Sequence, residues 1–158
     1  MRKVDLAAVP AAHDEGDPPG YECGYVRIGP LLDARLLGGT VYELPPGTSN
    51  CPYHYEYGRE EWLIVLDGTL SVRHPDGEDE VHAGEAACFP DGPGGAHRLT
   101  NRSDSVVRVL MLSTMGSPAV SVYPDSDNIG VFPGNEHDKL VVQRSSGVGY
   151  WEGEVEPH

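Results

Sequence analysis

Positive charge is scarce in this chain of 158 residues: 11 Lys and Arg stand against 25 Asp and Glu, a formal net charge of −14. The positive residues are scattered, and only Arg2 and Lys3 are adjacent. Binding to nucleic acid draws on clustered cations that displace counterions, so nucleic acid is excluded as an expected partner. Long apolar runs are also missing. The longest falls far below the roughly 20 residues that span a bilayer, and no membrane association is expected. The stretch after Arg2 and Lys3 is broken by Asp5 and Pro10, so no signal peptide is read there. Cysteine is sparse and odd in number (Cys23, Cys51, Cys88), without CxxC spacing. Reduced thiols in a cytoplasmic protein are the expectation, with Cys51 and Cys88 acting as small buried hydrophobes. In that compartment the Asn101-Arg102-Ser103 sequon carries no glycan. A Gly-x-Ser-x-Gly elbow, a P-loop and a dinucleotide fingerprint are all absent, which removes the usual support for nucleophilic and nucleotide chemistry. Strong helical periodicity is absent as well.

Glycine and proline, by contrast, are abundant, at 20 and 14 residues. With 39% hydrophobic residues and eight Tyr the chain can still form a core, so it is not a disordered composition. Short apolar runs punctuated by Gly and Pro at roughly 8–12 residue spacing predict an all-β domain, a sandwich or barrel. Strands are predicted over Tyr25–Ile28, Thr40–Leu44, Tyr53–Tyr57, Glu61–Leu66, Thr69–Arg73, Ala86–Phe89, His97–Asn101 and Val106–Ser113. Asp67-Gly68 predicts a tight hairpin. Residues 1–20 read as an extended or mobile arm, 21–116 as the barrel, and 117–158 as an extension packing on it. The extension lacks regular alternation, although Lys139–Gln143 can form a strand, and Tyr150-Trp151 read as exposed aromatics.

Chemistry concentrates in two stretches. Residues two apart on a strand share a face, so His54 and Glu56 project together, and Tyr53, Tyr55 and Tyr57 project oppositely, to pack on a second layer or a partner subunit. Glu61 shares a face with Leu63 and Val65; Trp62 lies on the other, and Glu60 points away. Two imidazoles (His54, His97) and two carboxylates (Glu56, Glu61) suit Fe, Mn, Ni or Zn as divalent ions, and the carboxylates offset the ionic charge. The alternative is a polar barrel mouth without metal. His13, His74, His82, His137 and His158 fall in turns or tails and read as surface residues. Asp125-x-Asp127-x-x-Gly130-x(5)-Glu136 approaches a calcium loop, but Ile129 occupies a ligand position and no helix flanks it, so it reads as an ordinary loop.

These residues resemble a family. Gly47, His54, Glu56, Glu61 and Gly68 are similar to the first cupin motif, Gly-x(5–6)-His-x-His-x(3–4)-Glu-x(6)-Gly. Gly84, Pro90, Gly92, His97 and Asn101 are similar to the second, Gly-x(5)-Pro-x-Gly-x(2)-His-x(3)-Asn. The resemblance implies a double-stranded β-helix, or jelly-roll barrel, of the small single-domain bacterial type. It places the metal ligands on His54, Glu56, Glu61 and His97. Two departures stand out: Glu56 replaces the usual second histidine, and Pro93-Gly94-Gly95-Ala96 lengthens the loop before His97 by two residues. Glu56 is either a direct ligand or an acceptor orienting His54. Asn101 is expected to brace a turn.

Three functions follow. One is a metal-dependent enzyme on a small organic molecule (dioxygenase, isomerase or decarboxylase), with Tyr42, Arg27 and Met111 offered as pocket lining. Another is a non-catalytic cupin that binds metal or a small molecule as sensor or store. The third is a structural homodimer with a vestigial site. A homodimer is expected in any case, with Tyr53, Tyr55 and Tyr57 as candidates for covering an open sheet edge.

Overall fold

In the computed structural model, which describes residues 1–154, the chain is built from thirteen strands and one short helix. Its largest sheet runs β1 (Ala12–His13), β2 (Gly24–Arg27), β3 (Leu37–Leu44), β10 (Val107–Thr114), β5 (Glu61–Asp67) and β8 (Ala86–Phe89). A second sheet orders β7 (Gly77–His82), β6 (Thr69–His74) and β9 (Arg98–Thr100). The third orders β13 (Leu140–Gln143), β12 (Asn128–Phe132), β11 (Ala119–Tyr123) and β4 (Tyr55–Tyr57). All pairings are antiparallel. The all-β expectation is borne out.

Strand β10 shows why the largest sheet is apolar on both faces. Val107, Val109 and Met111 point inward to a core with Leu44, Leu63, Val65, Leu70, Val72 and Leu99. Leu110 and Leu112 point outward, where Ile28 and Val41 join them. An outward apolar face needs a cover, and the N-terminal segment supplies it through Val4, Leu6 and Val9. Arg108, the polar residue interleaved on that outer face, donates from Nε to the Leu6 carbonyl at 2.7 Å, from a second nitrogen to the Val9 carbonyl, and from a third to Glu43. The first residues are therefore held against the barrel. The helix α1 (Ile28–Leu32) closes the same face and stops at Asp33, which adopts a left-handed backbone (φ 57°).

Turn chemistry follows the glycine pattern. Gly68, at φ 85°, lets β5 turn directly into β6, and the Pro75-Asp76 pair joins β6 to β7. The acid-rich run after that turn was not among the predicted strands, yet it forms β7, an edge strand with five of its six residues exposed. Charges on an edge strand discourage pairing with other chains. Asn101 is fully buried: its Nδ2 donates to the Leu44 and Ser105 carbonyls at 2.7 Å each, and its Oδ1 accepts from Ser103. It braces the turn before β10, as expected.

Beyond Ser117 the chain is more regular than its pattern suggested. Strand β11 pairs with β4 in the register Ser121 to Glu56, and β12 and β13 extend that sheet outward. The Asp125–Gly130 segment forms part of the β11–β12 turn and the start of β12, with Asp125 bound to Arg73 at 2.6 Å rather than arranged as a calcium loop. Two expectations need correction. Cys88 is exposed, because on β8 it faces outward opposite Trp62. Tyr53 and Tyr55 are buried with Ala96 and Val122 inside this chain, with the Arg73 guanidinium 3.8 Å above the Tyr53 ring. Of the two alternatives for the row, packing on a second layer holds for Tyr53 and Tyr55, which are not available to cover a sheet edge; Tyr57 alone of the three is exposed. Tyr150 and Trp151 are exposed, as read from sequence. His158 lies outside the described residues. No helix among the described residues is long and apolar enough to cross a membrane.

Candidate metal centre

The two motif stretches are joined by several backbone contacts, one of which sets the two imidazoles side by side. His54 and His97 form an isolated antiparallel bridge, N–H to carbonyl, at 3.1 and 2.8 Å. His54 leads into β4, Glu61 opens β5, and His97 leads into β9, so three sheet starts converge on one mouth. The ligand atoms of His54, Glu61 and His97 all lie within 4.8 Å of one another.

Both imidazoles have their orientation fixed from behind. His97 Nδ1 lies 2.9 Å from the Gly95 carbonyl, and His54 Nδ1 lies 3.0 Å from the Pro52 carbonyl. A carbonyl only accepts, so each Nδ1 carries the proton and each Nε2 is left with its lone pair. The His97 ring stacks on Phe89 (3.8 Å between centroids, 10° between planes), and His54 stacks on Tyr123. His97 Nε2 is buried without a hydrogen-bond partner, 3.5 Å from Glu61 Oε2. A buried orphan nitrogen facing a carboxylate is costly unless something binds there. Burial, then repulsion from His54, pulls the His97 pKa down to about 4 against the Gly95 hydrogen bond. Burial likewise lowers His54, against the pull of the Pro52 carbonyl and Glu56. Burial, reinforced by Glu56 and eased by Arg59, pushes Glu61 up to about 7. The His97–Glu61 contact is consequently not an ion pair at neutral pH: the imidazole there is neutral, the form that ligates metal. The donor set fits a divalent ion.

Glu56 lines the same pocket but stands outside the three-residue cluster. Its Oε1 accepts from Ser121 Oγ at 2.9 Å and its Oε2 from Arg59 Nη1 at 3.3 Å. Tyr42 and Met111 line the pocket of about 240 Å³, whereas Arg27 does not. Trp62 and Glu60 stay outside, joined to each other by a 2.8 Å hydrogen bond. Cys51 lies within 3.5 Å of His54 Nδ1, its thiol pushed up mainly by burial. Sequence reasoning missed Arg59, Ser121, Phe89 and Tyr123. Arg59 was legible as a cation three residues after Glu56; the other three reach the site only through strand pairing.

The lengthened loop before His97 is absorbed by one tight 3₁₀ turn over Pro93–Gly95, and Gly92 N–H is tied to the Glu56 carbonyl at 2.8 Å. A Cβ on Gly95 would sit 1.9 Å from the Pro90 carbonyl oxygen, while one on Gly94 would meet nothing within 4 Å. Gly95→Ala is expected to cost about 1–3 kcal/mol, as overpacking does, and Gly94→Ala under about 0.5 kcal/mol. Urea unfolding of the two variants checks this; equal midpoints would show that the loop gives way freely.

Residues 40–113 match the family model described as Cupin domain (Cupin_2). No curated protein matches the chain in sequence. Among solved structures, a sugar phosphate isomerase of the cupin superfamily from Silicibacter pomeroyi superposes with a TM-score of 0.78 at 21% identity, covering 91% of this chain and 94% of its own. A protein from Acidithiobacillus ferrooxidans, named provisionally as a sugar phosphate isomerase, gives 0.79 at 19% identity, covering 91% of each chain. The polyketide cyclase RemF from Streptomyces resistomycificus gives 0.60 at 25% identity, covering 75% of this chain and 83% of its own. Motifs, barrel and family match agree: residues 40–113 match a cupin domain, and the chain shares its fold with these cupin-superfamily structures.

Proposed function

We propose that this protein is a metal-dependent enzyme that moves a proton on a small organic molecule, in the manner of an isomerase. The observation that carries the reading is the buried, unpartnered Nε2 of His97 facing Glu61 and His54. Structural metal sites are closed by four protein ligands, whereas three ligands leave room for substrate. Three is the number that this mouth brings together. An ion held by His54, Glu61 and His97 would polarise a carbonyl or hydroxyl oxygen of the ligand.

The chain's own residues supply the remainder. Ser121 and Arg59 hold Glu56 in the pocket, where its carboxylate can take up and return a proton. Phe89 and Tyr123 keep the two imidazoles in place, and Tyr42 and Met111 wall the ligand's space. A redox-neutral proton transfer needs a positioned proton acceptor beside the ion, and Glu56, which stands outside the three-residue cluster, can serve as one. The test is elemental analysis of protein purified without added metal and after incubation with Fe, Mn, Ni or Zn. About one ion per chain is expected in the wild type and a loss in His97→Ala. A wild type that takes up no ion under any of these conditions would overturn the proposal.

A further inference from the structure

Beside the metal pocket lies a second, larger cavity of about 990 Å³, and the two share Gly38, Gly39, Thr40, Tyr42 and Ser113 as a common wall. The chain has only 11 positive side chains against 25 negative ones, yet Arg27, Arg35 and Arg59 all line this outer cavity. Asp33 is the acidic side chain on its wall, and its carboxylate is held by Arg2 at 2.8 Å. Among the described residues Arg27 and Arg35 form no ion pair. Arg59 divides its guanidinium between Glu56 and the Gly116 carbonyl, at 3.3 and 2.8 Å, and keeps a buried Nε without a partner. A guanidinium matches the oxygens of carboxylate and phosphate groups. On a surface that otherwise repels anions, a concave patch of such groups concentrates them.

We infer that the outer cavity binds the anionic group, phosphate ester or carboxylate, of the same small molecule whose reacting end enters the His54–Glu61–His97 pocket. The second half of that statement rests on the proposed metal enzyme; the anion site itself does not. Arg59 is the link between the two ends, because it faces the outer cavity while holding Glu56 in the inner one. Arg27 and Arg35 act as the two free cations, and the shared wall sets a short distance between charge and reacting carbon. A neutral molecule of the same size would leave these guanidinium groups without partners.

The experiment is a titration of the full chain with inorganic phosphate, and separately with succinate, at low ionic strength, followed by calorimetry and by thermal shift. Wild type, Arg27→Gln/Arg35→Gln and His97→Ala are compared. Both substituted arginines are exposed, so the double variant is expected to fold like the wild type. Saturable binding is expected in the wild type, weakened at least tenfold in the double variant and retained in His97→Ala. Binding of phosphate alone assigns a phosphate ester, binding of succinate alone a carboxylate, and binding of both the shared oxyanion chemistry. Absence of binding by either anion, or equal binding by the double variant, overturns the inference. Anion binding in a protein that takes up no metal would sink the metal-enzyme reading and leave the anion site standing.

Discussion

Arg108→Met is expected to lower stability by about 3 kcal/mol, the lower end of what breaking a buried charged pair costs. The Arg108 side chain is 10% exposed, and it serves the Leu6 and Val9 carbonyls and the Glu43 carboxylate at once. Removing the guanidinium strands two backbone acceptors under the N-terminal segment and leaves Glu43 without its counter-charge. That segment then loses its hold on the outward apolar face carrying Val41 and Leu110. Against a typical stability of about 5–15 kcal/mol such a loss is large, and it lowers the melting temperature by roughly 6–12 °C for a chain of this size. Urea unfolding reads the energy, and limited proteolysis near residues 1–20 reads release of the segment. Adding Glu43→Leu should return only part of the loss, because the Leu6 and Val9 carbonyls still lack donors. If Arg108→Met unfolds at the wild-type midpoint with its N-terminus still protected, apolar contacts alone hold the segment.

Much of this architecture was legible in the sequence, for reasons tied to particular residues. The period of two around His54 and Glu61 separated pocket residues from outward ones correctly: Leu63 and Val65 are buried, and Trp62 is 46% exposed. The glycines at 68 and 84 take positive φ, which only glycine adopts readily, so their spacing marked the turns. What the sequence did not disclose is which strands lie beside one another. Ser121 is 65 residues from Glu56 yet donates to it, and β11 has too short a pattern to reveal that pairing. Whether Tyr53 and Tyr55 pack within the chain or against a partner stayed open for the same reason, since their cover comes from Ala96 and Val122. The lengthened loop before His97 offered no hint that Gly95 would let it fold flat against Pro90.

Glu61→Gln and Glu56→Gln are expected to part company. In the first, the cluster loses the carboxylate that faces both imidazoles, and metal affinity falls by more than about 100-fold. Even a residue that only hydrogen-bonds a metal ligand costs 10–100-fold when removed, and a ligand costs more. In the second, the new amide still accepts through its oxygen from Ser121 or Arg59, the three-ligand cluster is untouched, and affinity stays within about tenfold of the wild type. Turnover then drops by about 10²–10⁴, the usual worth of a positioned proton acceptor. Competition with a chromophoric chelator measures the first quantity without any substrate, which keeps the comparison independent of the reaction. Should Glu56→Gln release metal as readily as Glu61→Gln, Glu56 leaves Arg59 and Ser121 to join the ion. The centre would then hold two imidazoles and two carboxylates, with no carboxylate left over for the proton.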